Sequence, residues 1–159
     1  MNVMTPAVDK APLDIGSIAS ATSEACISTR VRQLSRIVTR VYDDALRPHK
    51  ITASQFTLLT QLANQDGITA AEIGSTLDIE KSTLSRNLKR LLALGHIKMD
   101  PPAGRRGRGL HLTPGGKVVI QDAFPLWQSA QKRAIEVMGL ESRRTLDDLL
   151  SQAERLVVP

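Results

Sequence analysis

The sequence contains one cysteine, Cys26, and only two phenylalanines, one tyrosine and one tryptophan among 159 residues. A single cysteine excludes an internal disulfide framework and a zinc site made of several cysteines, and it fits a reducing compartment. So few aromatic side chains argue against a single-strand or RNA-binding surface, because such surfaces stack bases on aromatic platforms. Disulfide-rich secreted domains and base-stacking RNA binders are therefore disfavoured.

Long apolar runs and catalytic motifs are also missing. Residues 1–20 contain no apolar run of signal-peptide length, and no later run is long enough to span a bilayer. His49, His96 and His111 lack metal-ligand spacing, and the patterns His-x-x-x-His, Cys-x-x-Cys and Gly-x-Ser-x-Gly do not occur. We therefore expect a cytoplasmic protein without membrane association, metal or cofactor, and not an enzyme.

The composition that remains is typical of one folded domain with a basic surface. Hydrophobic residues make up 42% and charged residues 23% of the chain, as in ordinary globular proteins. A chain of this length can bury one core. The formal net charge of +5 favours an anionic partner without identifying it. The positions of the basic residues are needed to infer which kind of partner binds.

Apolar spacing and capping motifs predict a mainly helical chain. Residues 1–21 show no periodicity, and we expect them to form a flexible N-terminal tail. From Ile27 to Ala45, apolar residues recur in steps of four and three, which predicts a long helix that ends at Pro48. Capping-box pairs at Thr52–Gln55 and Thr69–Glu72 predict the starts of two further helices.

The second half is predicted to contain a helix, a β-hairpin and two more helices. The first of these helices covers residues 80–94 and ends at Gly95. Residues 96–100 and 109–112 resemble two short strands. Thr113-Pro114 predicts the start of a long helix that reaches about residue 138, and an apolar face over residues 146–157 predicts the last helix.

The predicted helix 80–94 has the two-sided pattern of a helix that reads DNA. Leucines occupy one face, and hydroxyl, amide and basic residues occupy the other. Arg86 suits guanine and Asn87 suits adenine, whereas Lys89 and Arg90 suit phosphates. The alternative is a solvated polar face on an ordinary surface helix. The candidate DNA-binding residues of this helix are Ser82, Thr83, Ser85, Arg86, Asn87, Lys89 and Arg90.

A basic loop follows this helix about ten residues later. Arg105, Arg106 and Arg108 alternate with glycines between the two predicted strands. A narrow minor groove attracts inserted arginine because its negative potential is enhanced. A mobile basic hairpin tip is the alternative, but the position beside a helix-turn-helix favours DNA contact.

The sequence resembles the MarR family of winged helix-turn-helix transcription regulators. The resemblance is carried by Tyr42-Asp43-x-x-Leu46-x-Pro48 before residues 51–59, by Ser82-Thr83-Leu84-Ser85-Arg86-Asn87-Leu88, and by Arg106-x-Arg108 leading to Leu112-Thr113-Pro114-x-Gly116. Two positions depart from the family pattern. Gly104 replaces the usual wing aspartate, and Cys26 lies about two residues from the reactive cysteine of the hydroperoxide-sensing branch.

The resemblance implies a mainly α fold, with a winged helix-turn-helix, a small β-hairpin wing, and N- and C-terminal dimerisation helices. It implies a single domain over residues 22–159, with a DNA-binding lobe at 52–112 and dimerisation helices at 22–47 and 114–158. It also implies a homodimer on double-stranded DNA, controlled by a small-molecule effector such as an aromatic or phenolic acid. Residues 80–94 would be the recognition helix, and residues 97–112 would be the wing.

Two further sets of residues have competing interpretations. Tyr42, Phe124 and Trp127 are most simply core or interface residues, although with Phe56 they lie where a small-molecule effector pocket is expected. Cys26 is most simply a small buried apolar residue, although Arg30, one helical turn on, would stabilise a redox-active thiolate.

The sequence thus predicts a ligand-responsive transcription regulator, a repressor that acts as a homodimer on a palindromic operator. Two alternatives remain open at this point. One is a thiol-based redox-sensing regulator that acts through Cys26, and the other is a winged-helix protein-interaction module that does not bind DNA.

Overall fold

A computed structural model describes residues 14–101 and 107–156. The chain divides into two units, Met1–Ile37 and Val38–Pro159, and the boundary lies inside a long helix. The first unit holds helix α1 (Ile15–Ala25) and the first half of α2 (Ile27–Leu46). Within the described residues, no helix is both long enough and apolar enough to cross a membrane.

Helix α1 corrects the predicted N-terminal tail. Asp14 caps this helix by accepting a hydrogen bond from the Ser17 amide at 3.1 Å. The predicted flexible tail over residues 1–21 thus contains a helix from Ile15 onward, which the sequence did not predict, and residues 1–13 lie outside the described part. The sequence signal was weak because α1 is built mostly from small residues and buries none of them.

The second unit begins with the end of α2 and continues through three short helices. A 3-10 turn at Arg47–His49 ends α2, as Pro48 predicted. Helix α3 (Ala53–Asn64) and helix α4 (Ala70–Thr76) start at the two predicted capping boxes, in which both reciprocal hydrogen bonds are present. Helix α5 (Lys81–Ala93) follows, and Gly95 adopts a positive φ of 71° just after it.

A two-stranded antiparallel sheet separates α5 from the last helices. Strand β1 (Ile97–Met99) pairs with β2 (Leu110–Leu112) so that Lys98 lies opposite His111. An isolated bridge joins Thr69 to Gly109, and the Gly67 amide donates to the Leu110 carbonyl at 3.0 Å. The loop between α3 and α4 therefore adds a short third segment beside β2.

The chain then forms α6 (Pro114–Met138), α7 (Ser142–Ala153) and a 3-10 turn at Glu154–Leu156. Thr113 caps α6 as predicted, and Gly139 follows its last residue. The final helix is shorter than predicted, because α7 ends at Ala153.

The core of the second unit is aliphatic and lies where α3, α4, α5, α6 and the sheet meet. Leu46, Leu58, Leu59, Ile73, Leu91 and Leu110 are fully buried. This core fixes the orientation of α5, since α5 contributes three of its buried leucines.

Candidate nucleic-acid interface

Helix α5 buries its leucines and exposes the side that carries hydroxyl and basic residues. Leu84, Leu88 and Leu91 are at most 5% exposed. Full burial of one such side chain stabilises a fold by about 1.5–3 kcal/mol, so rotating α5 about its axis would be costly. We call the exposed side the α5 polar face, and it consists of Ser82, Ser85, Arg86, Lys89 and Arg90.

The first turn of α5 is organised by Glu80, which the sequence analysis did not single out. Its carboxylate accepts from the amides of Ser82 at 2.7 Å and Thr83 at 3.1 Å, and from the Ser82 hydroxyl. The Ser82 hydroxyl, followed by the Thr83 amide, holds the pKa of Glu80 below its usual value. The Ser82 hydroxyl is therefore engaged with Glu80, while Arg86 donates to the Thr83 hydroxyl at 3.2 Å.

Asn87 faces the protein interior, in contrast to its neighbour Arg86. Its Oδ1 accepts a hydrogen bond from Nε2 of Gln55 at 3.3 Å, and Gln55 is only 7% exposed. Oε1 of Gln55 accepts from the Thr52 amide in the capping box, so only its Nε2 is left to face Asn87. The predicted pairing with adenine needs the same oxygen of Asn87. In this structure, Asn87 joins α5 to α3.

Of the three wing arginines predicted to contact DNA, only Arg108 lies within the described residues. Arg108 is exposed, and its Nε donates to the backbone carbonyl of Asp100. A Cβ atom on Gly109 would lie 2.6 Å from Oδ2 of Asp100 and 3.1 Å from the backbone carbonyl oxygen of Gly67, so a larger residue here would displace the Asp100 carboxylate. Arg105 and Arg106 lie outside the described residues.

His111 connects the two wing strands to the loop between α3 and α4. Its Nδ1 lies 3.0 Å from Oδ1 of Asp66, and its Nε2 lies 3.1 Å from Oδ1 of Asp100. The hydrogen bond to Asp100, followed by that to Asp66, raises the pKa of His111 above its usual value near 6.5. Sequence spacing gave no signal for this cluster, because its members are far apart in the chain.

The four predicted effector residues form one aromatic cluster around Trp127. Its ring centroid lies 5.9 Å from that of Phe124 and 6.4 Å from those of Tyr42 and Phe56. Tyr42 donates to Oε1 of Gln131 at 2.5 Å, and burial raises the pKa of Tyr42.

Only two of these four aromatic residues line a cavity beside the cluster. The cavity has a volume of about 400 Å³ between the end of α2, α6 and α7, and its lining includes Tyr42, Trp127 and Arg143. Phe56 belongs instead to the buried core. Phe124 is 45% exposed and does not line this cavity.

Cys26 lies between α1 and α2, and it is partly exposed. The sequence analysis favoured a small buried apolar residue, and in the single chain Cys26 is not fully buried. The hydroxyl of Thr29, followed by its amide, lowers the pKa of the Cys26 thiol. The residue expected to stabilise a thiolate was Arg30, but the structure assigns this effect to Thr29.

These elements define a winged helix-turn-helix protein. Helix α5 follows α4 after a short turn and presents the polar face, and the two-stranded wing follows directly. The predicted mainly α fold with a small β-hairpin wing is confirmed.

Comparison with known proteins gives the family. A MarR family model matches residues 49–107. A crystal structure of the transcriptional regulator MosR from M. tuberculosis is 30% identical, with a TM-score of 0.73, and the match covers 83% of this chain and 98% of that chain. The chain belongs to the MarR family.

Two curated relatives match over part of their length. HTH-type transcriptional regulator TtmR from Methylorubrum extorquens is 34% identical over 128 residues, which cover 74% of this chain and 60% of that protein. Multiple antibiotic resistance protein MarR from Salmonella typhimurium is 35% identical over 83 residues, which cover 52% of this chain and 58% of that protein. The chain thus spans about 60% of the length of the first of these relatives.

Proposed function

We propose that this protein is a sequence-specific double-stranded DNA-binding transcription regulator, and that it represses transcription as a homodimer on a palindromic operator. The observation that carries the proposal is the α5 polar face, which is held outward by buried leucines and followed by the wing. A second crystal structure of MosR, 29% identical to this chain, is described as a complex with DNA, which supports the proposal.

The residues of the interface have distinct roles in this proposal. Arg86 contacts guanine through its guanidinium group, and the hydroxyl of Ser85 contacts a neighbouring base edge. Lys89 and Arg90 bind phosphates and fix the register of α5 in the major groove. Arg108 enters the minor groove. The same role is proposed for Arg105 and Arg106 from their positions in the sequence, because both lie outside the described residues.

Ser82, Thr83 and Asn87 take lesser roles than the sequence suggested. The Ser82 hydroxyl is bound to Glu80, and Asn87 is bound to Gln55. Thr83 is half-buried and accepts from Arg86. We propose that these three residues shape the reading surface and orient Arg86 more than they read bases.

Exposed apolar residues on both terminal regions support the homodimer. In the first unit, Ile27 is 78% and Val31 is 59% exposed. In the second unit, Leu149, Leu150 and Leu156 are between 55% and 86% exposed. Burying apolar surface against a second copy gains roughly 25 cal/mol per Å². A twofold dimer would then read half-sites about 10 base pairs apart, one turn of B-DNA.

The cavity beside Trp127 is the effector site that we propose. An aromatic or phenolic acid would place its ring against Trp127 and Tyr42 and its carboxylate near Arg143. Trp127 is the only tryptophan, so its fluorescence reports directly on this cavity. Quenching by salicylate or benzoate, lost in Arg143→Ala but kept in Arg144→Ala, supports this site. Equal quenching in both variants contradicts it.

Selection from a random duplex library tests the proposed function. The protein should enrich an imperfect palindrome, and sedimentation should show a dimer at the concentrations at which it binds. A library that remains random after several rounds, or a monomer at all concentrations, contradicts the proposal.

A redox-sensing regulator is the second candidate, favoured by the partly exposed Cys26 with its lowered thiol pKa. A Cys26→Ser variant that loses an oxidant response of DNA binding would support it. An unchanged response in that variant would dismiss it. A protein-interaction module that does not bind DNA is the third candidate, and the absence of salt-dependent DNA binding would favour it.

A further inference from the structure

His111 contacts a carboxylate through each of its two ring nitrogens. The distances are 3.0 Å from Nδ1 to Asp66 and 3.1 Å from Nε2 to Asp100. An ionised carboxylate only accepts hydrogen bonds, and a neutral imidazole carries a single N–H. Both contacts are therefore hydrogen bonds only when His111 is protonated and positively charged.

The protonated His111 connects three segments of the wing root, by which we mean Asp66, Asp100, Arg108 and His111. Asp66 belongs to the loop after α3, Asp100 directly follows β1, and His111 lies in β2. The same Asp100 accepts the hydrogen bond from Nε of Arg108 through its backbone carbonyl. Protonated His111 therefore helps to fix Asp100, and the backbone carbonyl of Asp100 positions Arg108.

The charges near His111 oppose one another. Lys98 is its cross-strand partner, and Lys117 of α6 lines a cavity of about 570 Å³ together with Lys98, Asp66 and His111. Burial disfavours a charged imidazole, whereas the two aspartates favour it. The hydrogen bonds to the aspartates are the larger effect, and the pKa of His111 is raised.

We propose that His111 is a positioning residue whose protonation holds the wing root in the arrangement that binds DNA. The proposal rests on the proposed function, because it concerns the DNA contact of Arg108. When His111 loses its proton, one of the two carboxylates loses its donor, so His111 no longer joins the loop after α3 to Asp100, whose backbone carbonyl accepts from Arg108. Phosphates near a protonated wing also favour the imidazolium, so proton uptake and DNA binding reinforce one another.

The direction of the pH dependence follows from the raised pKa. Below the ordinary histidine pKa near 6.5, His111 is protonated in most folded molecules. It loses this proton as the pH rises through its higher pKa in the folded protein. DNA affinity should therefore be greatest at low pH and fall as the pH rises through the folded pKa of His111. Burial lowers the pKa of His96, so His96 loses its proton at a lower pH than His111 does.

The first test uses the free protein. An NMR titration of the His111 ring should give a pKa above the ordinary histidine value. The Asp100 and Leu110 amides donate to the carbonyls of Gly109 and Ile68, and their protection from hydrogen exchange, relative to the unfolded chain at the same pH, should fall across the same pH range. In His111→Gln, protection of these amides should be low at every pH. A His111 that titrates at or below its ordinary value, or exchange that ignores this titration, overturns the proposal.

The second test measures DNA affinity by fluorescence anisotropy, with a mixed-sequence duplex of about 20 base pairs at low salt. From about pH 5.5 to about pH 9, wild type should lose roughly fivefold or more of its affinity. His111→Gln should bind at the weaker level throughout. The matched control His49→Gln should follow wild type, since His49 lies in the turn after α2.

The outcomes separate this proposal from the proposed function. A wild type whose affinity does not change with pH, or a His111→Gln variant that keeps the full change, refutes the role of His111. A protein that binds no duplex at any pH refutes the proposed function, and the titration of the free protein then still decides whether His111 controls the wing root.

Discussion

Replacing Gly116 with alanine should damage the junction between α6 and the turn that follows α5. A Cβ atom at this position would lie 2.0 Å from the backbone carbonyl oxygen of His96, far inside van der Waals contact. The same oxygen accepts hydrogen bonds from the Thr113 amide at 3.0 Å and from the Thr113 hydroxyl at 3.1 Å. A backbone atom cannot turn away as a flexible side chain can, so either the turn or the first turn of α6 must move.

The expected cost of Gly116→Ala is about 1–3 kcal/mol of folding stability or more, the usual range when overpacking forces backbone to shift. Gly115→Ala is the matched control, because the nearest atom to its Cβ would be the Thr113 hydroxyl at 3.6 Å. That neighbour should be neutral or gain about 0.4–1 kcal/mol, since alanine reduces the entropy of the unfolded chain.

Urea unfolding at one fixed protein concentration measures both variants, and the concentration must be fixed because a dimer is expected. Gly116→Ala should also weaken DNA binding, since the displaced turn connects α5 to the wing. Equal stability of the two variants would refute the packing argument.

Three further predictions concern α5. Arg86→Ala should relax preference at one base position and cost roughly 1–3 kcal/mol of operator binding, whereas Lys89→Ala should weaken all duplexes alike and reduce the log–log salt slope by about one, both measured by anisotropy. Asn87→Ala should lower folding stability by roughly 1–3 kcal/mol, because Nε2 of buried Gln55 loses its acceptor. The higher helix propensity of alanine should offset up to about 0.7 kcal/mol of this loss. Leu91→Ala, at a fully buried site, should cost about 2–5 kcal/mol in urea unfolding.

Each of these predictions has a result that contradicts it. Identical behaviour of the Arg86 and Lys89 variants across an operator library would remove their separate roles. An Asn87→Ala variant of unchanged stability that loses preference for one adenine would restore the base-reading role. Asn87→Asp is the control for this position, because it keeps an acceptor for Gln55 and should keep most of the stability. A Leu91→Ala variant as stable as wild type would show that α5 is not anchored as described.

The local signals in the sequence predicted most of the fold. The capping boxes at Thr52 and Thr69, the threonine cap at Thr113, and Gly95 after α5 each act within a few residues, and each appears in the structure as predicted. Helix α1 was not predicted because its sequence lacks a long apolar stripe. Its sequence supplies mainly a cap at Asp14 and small residues.

The chemistry of the site was predicted less completely, because it depends on contacts between distant parts of the chain. Helical periodicity placed Arg86 and Lys89 on an exposed face, but it could not show that Asn87 binds Gln55, 32 residues away. The Asp66–His111 contact spans 45 residues, and no spacing rule connects them. Glu80 was missed for a local reason, since glutamate is not among the residues preferred as helix N-caps.

The proposed function depends most on one property, which is that the α5 polar face reads double-stranded DNA. The most direct test is an anisotropy titration of wild type and of Arg86→Ala against a library-selected duplex and a scrambled duplex of the same composition, repeated at several salt concentrations. Wild type should bind the selected duplex at least about 10³-fold more tightly than the scrambled one, with affinity falling as salt rises, and Arg86→Ala should lose part of that preference. Equal binding of both duplexes by wild type, or affinity that does not respond to salt, would contradict the claim.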